Sequence, residues 1–233
     1  SDSTTYVFDD PATEEPNAAL YSKADLTIYG NGALTVTAAY QDGITSKDGL
    51  IIASGTITVN AADDAIRGKD YLLVKDGILT LNAQGDALKA DNEEDATQGY
   101  IAIVNGMFDL TAGGDALQAQ TNVSIQAGIF MISSGGGSAS RADANISTKG
   151  IKGVAGIYID GGAFTIDSAD DTIHSNGSIT INGGTFVLTT GDDGIHADET
   201  ITINGGELQI SKSYEGIESA VITLNGGNIH VTA

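Results

Sequence analysis

One feature limits this chain more than any other: it repeats. The segments Ile159-Asp160-Gly161-Gly162-Ala163-Phe164, Ile181-Asn182-Gly183-Gly184-Thr185-Phe186, Ile203-Asn204-Gly205-Gly206-Glu207-Leu208 and Leu224-Asn225-Gly226-Gly227-Asn228-Ile229 place their glycines 22, 22 and 21 residues apart. A second marker, an acid followed by a small residue and an aliphatic one, keeps the same beat. It runs through Asp42-Gly43-Ile44, Asp64-Ala65-Ile66, Asp86-Ala87-Leu88, Asp115-Ala116-Leu117, Asp171-Thr172-Ile173, Asp193-Gly194-Ile195 and Glu215-Gly216-Ile217. Its aliphatic member steps by 22, 22, 29, 56, 22 and 22, and Lys149-Gly150-Ile151 divides the longest gap into 34 and 22. Two independent markers with one period make a solenoid the first architecture to consider.

The content of each repeat selects the solenoid. Leucine-rich repeats share the length but need a leucine framework that is absent. Helical repeats are opposed by glycine-rich, β-branched runs. Each repeat instead holds three short alternating stretches, for example Ser178-Ile179-Thr180-Ile181, Thr185-Phe186-Val187-Leu188 and Gly194-Ile195-His196-Ala197. Turn formers separate them. The pattern predicts an all-β fold, a right-handed single-stranded parallel β-helix of about nine rungs. Residues 1–23, which contain both prolines, read as a tail or linker, and residues 24–233 as the β-helix domain. Alternation predicts an inward column of Phe108, Phe130, Phe164 and Phe186, and a bonded ladder of Asn182, Asn204 and Asn225 at a turn. Two insertions, Asn92–Gly99 and Gly135–Ile146, should lie outside the winding and wall a groove.

Composition now narrows the function. There are 31 acidic against 10 basic residues, a net charge of −21, and no cysteine. Such a chain will not hold a phosphate backbone by general electrostatics, so nucleic acid is not an expected partner. No zinc knuckle, disulfide or thiol nucleophile is available. No apolar run is long enough to span a membrane. A monomer is expected.

The acids are concentrated where the repeat stacks them. Asp42, Asp64, Asp86 and Asp115 fall on one line, and Asp171, Asp193 and Glu215 continue it beyond Lys149. Carboxylates about 5 Å apart repel by ~3 kcal/mol at an effective dielectric near 20. Raised pKa values, neighbouring Lys or Arg, or bound cations can relieve this. Set against 31 acids, ten basic residues look too few, and oxygen-only clusters suit Ca²⁺. Candidate cation sites are Asp42 with Asp63 and Asp64; Asp171 with Asp192, Asp193 and Asp198; and Asp86 with Asp91 and Asp115. Three residues past each acid runs a mixed column of Thr45, Arg67, Lys89, Gln118, Lys152, His174, His196 and Glu218. Bound calcium could bridge the protein to a uronate polymer, with Arg67, Lys89 and Lys152 holding further carboxylates. His174 and His196 read as surface strand residues.

The segments Gly191-Asp192-Asp193-Gly194-Ile195-His196-Ala197-Asp198, Ile201-Thr202-Ile203-Asn204-Gly205-Gly206 and Ser213-Tyr214-Glu215-Gly216-Ile217-Glu218 resemble the clostridial carbohydrate-binding β-helix family. The resemblance implies binding of cellulose and of acidic sugars such as polygalacturonate (pectin), with calcium in the fold. It also implies an extracellular or cell-surface-attached protein of a plant-wall-degrading bacterium. The family is similar in shape to the family 9 pectate lyases. Asp42, Asp63 and Asp64 match their aspartate cluster in kind, and Lys89 is the candidate base for β-elimination. A dense acidic surround raises a lysine pKa, so non-catalytic binding is the favoured expectation. A calcium-dependent pectate lyase, and a surface spacer, adhesin or ice binder, stand as alternatives. The outward threonines Thr180, Thr202 and Thr223 carry the ice-binding option.

Overall fold

The computed structural model describes residues 18–141 and 145–233, and every ladder in it is parallel. Each turn of the winding carries three strands, so three faces run along the molecule. The short face is built from three-residue strands such as Ile66–Gly68, Leu88–Ala90 and Ile173–Ser175. The medium face is built from strands such as Tyr71–Val74 and Ser178–Ile181. The long face is a nine-stranded sheet of strands such as Ile78–Ala83, Met107–Ala112 and Thr185–Thr190. Near the end, Ile195–Ile203 runs through the short and medium faces unbroken, which joins them in one sheet. The described residues contain no helix. The all-β parallel β-helix read from the repeat is the fold observed.

The winding begins earlier than the sequence boundary placed it. Ala18–Ser22 pairs with Asp42–Ser46, so the first strand lies within the segment assigned to the tail. Apolar Leu20 and Tyr21 sit in register with Ile44 and Thr45, which is reason enough for inclusion. The rest of that tail, residues 1–17, lies outside the described residues.

Period-two burial drives the packing. Met107–Ala112 and Ala163–Ser168 alternate exposed and buried along their whole length. The inward side chains of successive turns meet in columns, and four of them are phenylalanines. Phe108, Phe130, Phe164 and Phe186 stack with centroids 4.5, 4.6 and 4.7 Å apart and rings within 5° of parallel. The 4.7–4.9 Å strand spacing of a parallel ladder sets that separation, and burial of each ring supplies the driving force. The expected aliphatic column, Ile66 through Ile217, also stacks one residue per turn.

Two turn devices hold the corners. A glycine opens the long face in each turn, and Gly162, Gly184 and Gly206 take φ of +117°, +111° and +104°. A Cβ on Gly184 would stand 3.0 Å from the Gly162 carbonyl oxygen, so both conformation and space demand glycine. Beside it the asparagine ladder forms as expected. Asn182 Nδ2 donates to Asp160 at 2.7 Å, Asn204 to Asn182 at 2.8 Å and Asn225 to Asn204 at 2.8 Å.

Candidate functional site: the acidic column of the short face

The acid of each turn sits at the entry to the short face, where its backbone N–H points along the solenoid. The carboxylate one turn earlier accepts that N–H. Asp64 donates to Asp42 Oδ1 at 3.3 Å, Asp86 to Asp64 at 2.8 Å, Asp115 to Asp86 at 2.7 Å and Lys149 to Asp115 at 2.7 Å. Further on, Asp193 donates to Asp171 at 3.0 Å and Glu215 to Asp193 at 2.9 Å. Lys149 breaks the series because it offers no acceptor. The Asp171 N–H turns instead to its own neighbour, Asp170 Oδ1, at 2.9 Å. The column thus satisfies a line of buried amides, a duty a buried carboxylate performs well.

The other carboxylate oxygen faces the polar column, which aligns as read: Thr45 beside Arg67, then Lys89, Gln118, Lys152, His174, His196 and Glu218. Asp42 Oδ2 accepts from the Thr45 hydroxyl at 2.9 Å. Lys89 Nζ bridges Asp64 and Asp86 at 2.9 Å each. Arg67 turns to Asp91, with Nε contacts of 3.1 and 2.9 Å and an Nη2 contact of 2.8 Å. Lys152 lies 3.5 Å from Asp115, which also accepts from Ser147 at 2.8 Å. Lys149 Nζ pairs closely with Asp170 and lies 3.5 Å from Asp171.

This corrects the charge argument. The ten basic residues are few for the whole chain, yet four of them, Arg67, Lys89, Lys149 and Lys152, stand on this one face. Much of the repulsion is relieved by the protein's own cations. The grouping of Asp86, Asp91 and Asp115 does not form: each takes a separate cation, because Arg67 draws Asp91 away. Arg67, Lys89 and Lys152 are likewise engaged with the protein's own carboxylates.

Among the described residues two oxygen-only clusters do converge, with one carboxylate oxygen from each member within 4.8 Å of the others. The first is Asp42, Asp63 and Asp64, the trio read from the sequence. The second is Asp170, Asp171 and Asp192, so Asp170 takes the place the sequence reading gave to Asp193. Asp193 and Asp198 fall instead around His196. Burial, and then the charge of Asp64, push the Asp42 carboxyl from 3.8 up to about 6. Burial raises Asp63, Asp64 and Asp86 as well. Asp171 goes the other way: burial opposes its charge, but the His174 hydrogen bond and the Lys149 ammonium outweigh burial and hold it below the usual range.

The histidines contribute more than the sequence reading gave them. His174 Nδ1 lies 2.8 Å from Asp171 Oδ2, and His196 Nδ1 lies 3.5 Å from the same oxygen. The signal was available, since both stand three residues past an acid on adjacent turns. A column of Lys23, Lys47 and Lys69 was also passed over, although its members recur one turn apart. It lines an open groove of about 690 Å³ with Asp48, Asp70 and Asn92. A second groove, of about 510 Å³, lies over the short face between the two insertions. Its lining includes Glu93 from the first insertion, Asn145 and Ile146 from the second, and Asp64, Asp86 and Lys89 of the short face.

A family model of carbohydrate-binding domain-containing proteins matches residues 1–194. A carbohydrate-binding domain-containing protein of Acetivibrio thermocellus is 48% identical over 61 residues, 26% of this chain and 21% of that protein. The matched stretch therefore spans about a fifth of that relative. Among solved structures, the gadolinium derivative of a polysaccharide lyase-like protein from C. thermocellum superposes with a TM-score of 0.45 at 19% identity, covering 89% of this chain and 91% of the other. The chain belongs to the carbohydrate-binding domain-containing family.

Proposed function

We propose that this member of the carbohydrate-binding domain family binds acidic plant cell-wall polysaccharide, polygalacturonate above all, through calcium held at Asp42, Asp63 and Asp64. One observation carries the reading: these three carboxylates converge at an edge where only Asp64 touches an ammonium, whereas Lys149 stands inside the Asp170–Asp171–Asp192 cluster. The donor set is all oxygen, as a hard divalent cation requires. Burial first, and then the charges of Asp64 and Asp63, raise the Asp42 pKa, a cost of holding the carboxylate ionised that a bound cation would offset. Calcium supplies a counter-charge and leaves coordination positions for a sugar carboxylate. The neighbouring groove between the insertions gives the polymer a track along the solenoid axis. The setting that suits this activity is extracellular or on the cell surface.

Binding without cleavage fits better than β-elimination. A base needs a free lone pair, and Lys89 Nζ is shared by two carboxylates at 2.9 Å. Burial would lower its pKa, but Asp86 and Asp64 overcome burial and raise it above the ordinary lysine value.

Affinity electrophoresis through polygalacturonate tests the reading. Retardation should occur in millimolar calcium, vanish with chelator and be lost in the Asp42→Asn/Asp63→Asn double variant. Retardation that survives chelation, or none with any polysaccharide, sinks it. Accumulation of unsaturated product, abolished by Lys89→Ala, would restore the lyase.

A further inference from the structure

The short face changes chemistry beyond Lys149. Up to and including the turn of Lys149 its polar column carries Arg67, Lys89 and Lys152; on the next two turns it carries imidazoles. His174 and His196 meet edge to face with centroids 4.9 Å apart. Their Nδ1 atoms converge on one carboxylate oxygen, Asp171 Oδ2, at 2.8 and 3.5 Å. His196 Nδ1 also lies 3.6 Å from Asp193 Oδ2. Two ligand atoms each 2.0–2.1 Å from one tetrahedral ion lie roughly 3.3 Å apart. The observed separations bracket that distance. Asp171, His174 and His196 each place one ligating atom within 4.8 Å of the others.

The outer side of His196 carries a second, independent observation. Its Nε2 faces Asp198 Oδ1 at 3.5 Å and Glu218 Oε2 at 3.8 Å. A ligating imidazole characteristically presents its other ring nitrogen to a carboxylate, which fixes the ring and strengthens the donor. A histidine that only covered a strand would need no carboxylates at both nitrogens. The His174 and His196 side chains are 12% and 26% exposed, so an ion can enter from solvent. The competing cation is Lys149, whose Nζ is 3.5 Å from Asp171 Oδ2 but whose closer partner is Asp170.

We propose that Asp171, His174 and His196 form a binding site for a borderline divalent transition metal of the Zn²⁺ class, with Asp193 beside it and Asp198 and Glu218 orienting His196. Nitrogen donors separate this site from the calcium cluster, since imidazole favours zinc, nickel and copper over calcium. The two sites lie on different turns, so either reading can fail without the other.

Titration calorimetry of the whole chain with ZnCl₂ and with CaCl₂ tests the assignment. One saturable Zn²⁺ per chain is expected, not displaced by millimolar calcium and retained in Asp42→Asn. The His174→Gln/His196→Gln variant should lose saturable binding, and Asp198→Asn/Glu218→Gln should weaken it about 10–100-fold. In the wild type, Co²⁺ should give the intense visible bands of a tetrahedral site, a measurement that needs no variant to fold. No saturable Zn²⁺ in the wild type, unchanged Zn²⁺ affinity in the histidine variant, or an octahedral aquo-like cobalt spectrum would each overturn the site.

Discussion

The two stretches of the acidic column use the same backbone device and neutralise it differently. From Asp42 to Asp115, and again at Asp171 and Asp193, each carboxylate accepts the N–H of the next turn. Upstream, the second oxygens meet fixed charges such as Lys89, and Asp91 meets Arg67. Downstream they meet His174 and His196, and Glu218 replaces a cation altogether. The amide ladder needs an acid at each turn, whereas the counter-charge is free to vary. Functional chemistry on this face is therefore set by the column three residues along, not by the acids themselves.

The largest test of that difference removes one member of the polar column from each stretch. Lys89→Met keeps most of the side-chain packing but leaves Asp64 and Asp86 buried and unpaired. Loss of one partner from a buried ion pair costs about 3–5 kcal/mol, and the quarter exposure of Lys89 puts the expectation at the lower end, ~3 kcal/mol. At 2–4 °C per kcal/mol for a chain of this size, the melting temperature should fall by about 6–12 °C. His196→Ala, measured without metal, should cost less than ~1 kcal/mol, because its carboxylate contacts are long and partly solvated. Equal losses would erase the distinction between the stretches.

Acidity sharpens it next. Asp42 has a folded pKa of about 6 against an ordinary 3.8, so the native state holds the proton more tightly than the unfolded chain. Its contribution to stability is present at low pH and is lost as pH rises between about 4 and 6. Asp63, Asp64 and Asp86 shift in the same direction. Asp171 is depressed, so its contribution is present above the ordinary carboxylate range and is lost as pH falls through its lowered value. Calcium-free melts from pH 3 to pH 8 should therefore show Asp42→Asn removing a loss on the alkaline side. Asp171→Asn should remove a gain there. Calcium should flatten the Asp42 contribution in the wild type. Matching pH slopes for the two variants would mean that the stretches are electrostatically alike.

Much of this molecule could be read from its residues, and the part that could not has a definite cause. A fixed period converts sequence spacing directly into register, so the Phe108–Phe186 stack, the Ile66–Ile217 column and the Thr45–Glu218 column all followed from counting. Asp42, Asp63 and Asp64 converged for the same reason. Register does not say which way a long side chain swings. Arg67 could have faced Asp64 and instead reaches Asp91, which dissolves the expected third cluster. Nor does register expose an exception until its consequence is followed: Lys149 lacks the acceptor its slot requires, and Asp170 supplies it. The histidines were visible in the column, but their meaning lies in contacts at both ring nitrogens, and sequence carries no such distances.

The smallest test concerns the turn between the medium and long faces, where the stretches differ again. Downstream, Asp160, Asn182, Asn204 and Asn225 form a continuous side-chain ladder. Upstream, the same slot holds Ala53, Lys75, Val104 and Gln126, which cannot propagate one. Asn204 both donates to Asn182 and accepts from Asn225, each at 2.8 Å, but it is exposed to water. A net hydrogen bond contributes ~0.5–1.5 kcal/mol, and exposure lets water replace part of each. Asn204→Ala should therefore cost ~1 kcal/mol in total, lowering the melting temperature by about 2–4 °C. Hydrogen exchange should locate the loss: amides of the strands Ile195–Ile203 and Ile217–Leu224 should exchange faster, while those of Tyr71–Val74 should not change. Uniform acceleration along the solenoid would show that the ladder stabilises the whole winding as one cooperative unit, and the local division argued for the two stretches would not extend to this corner.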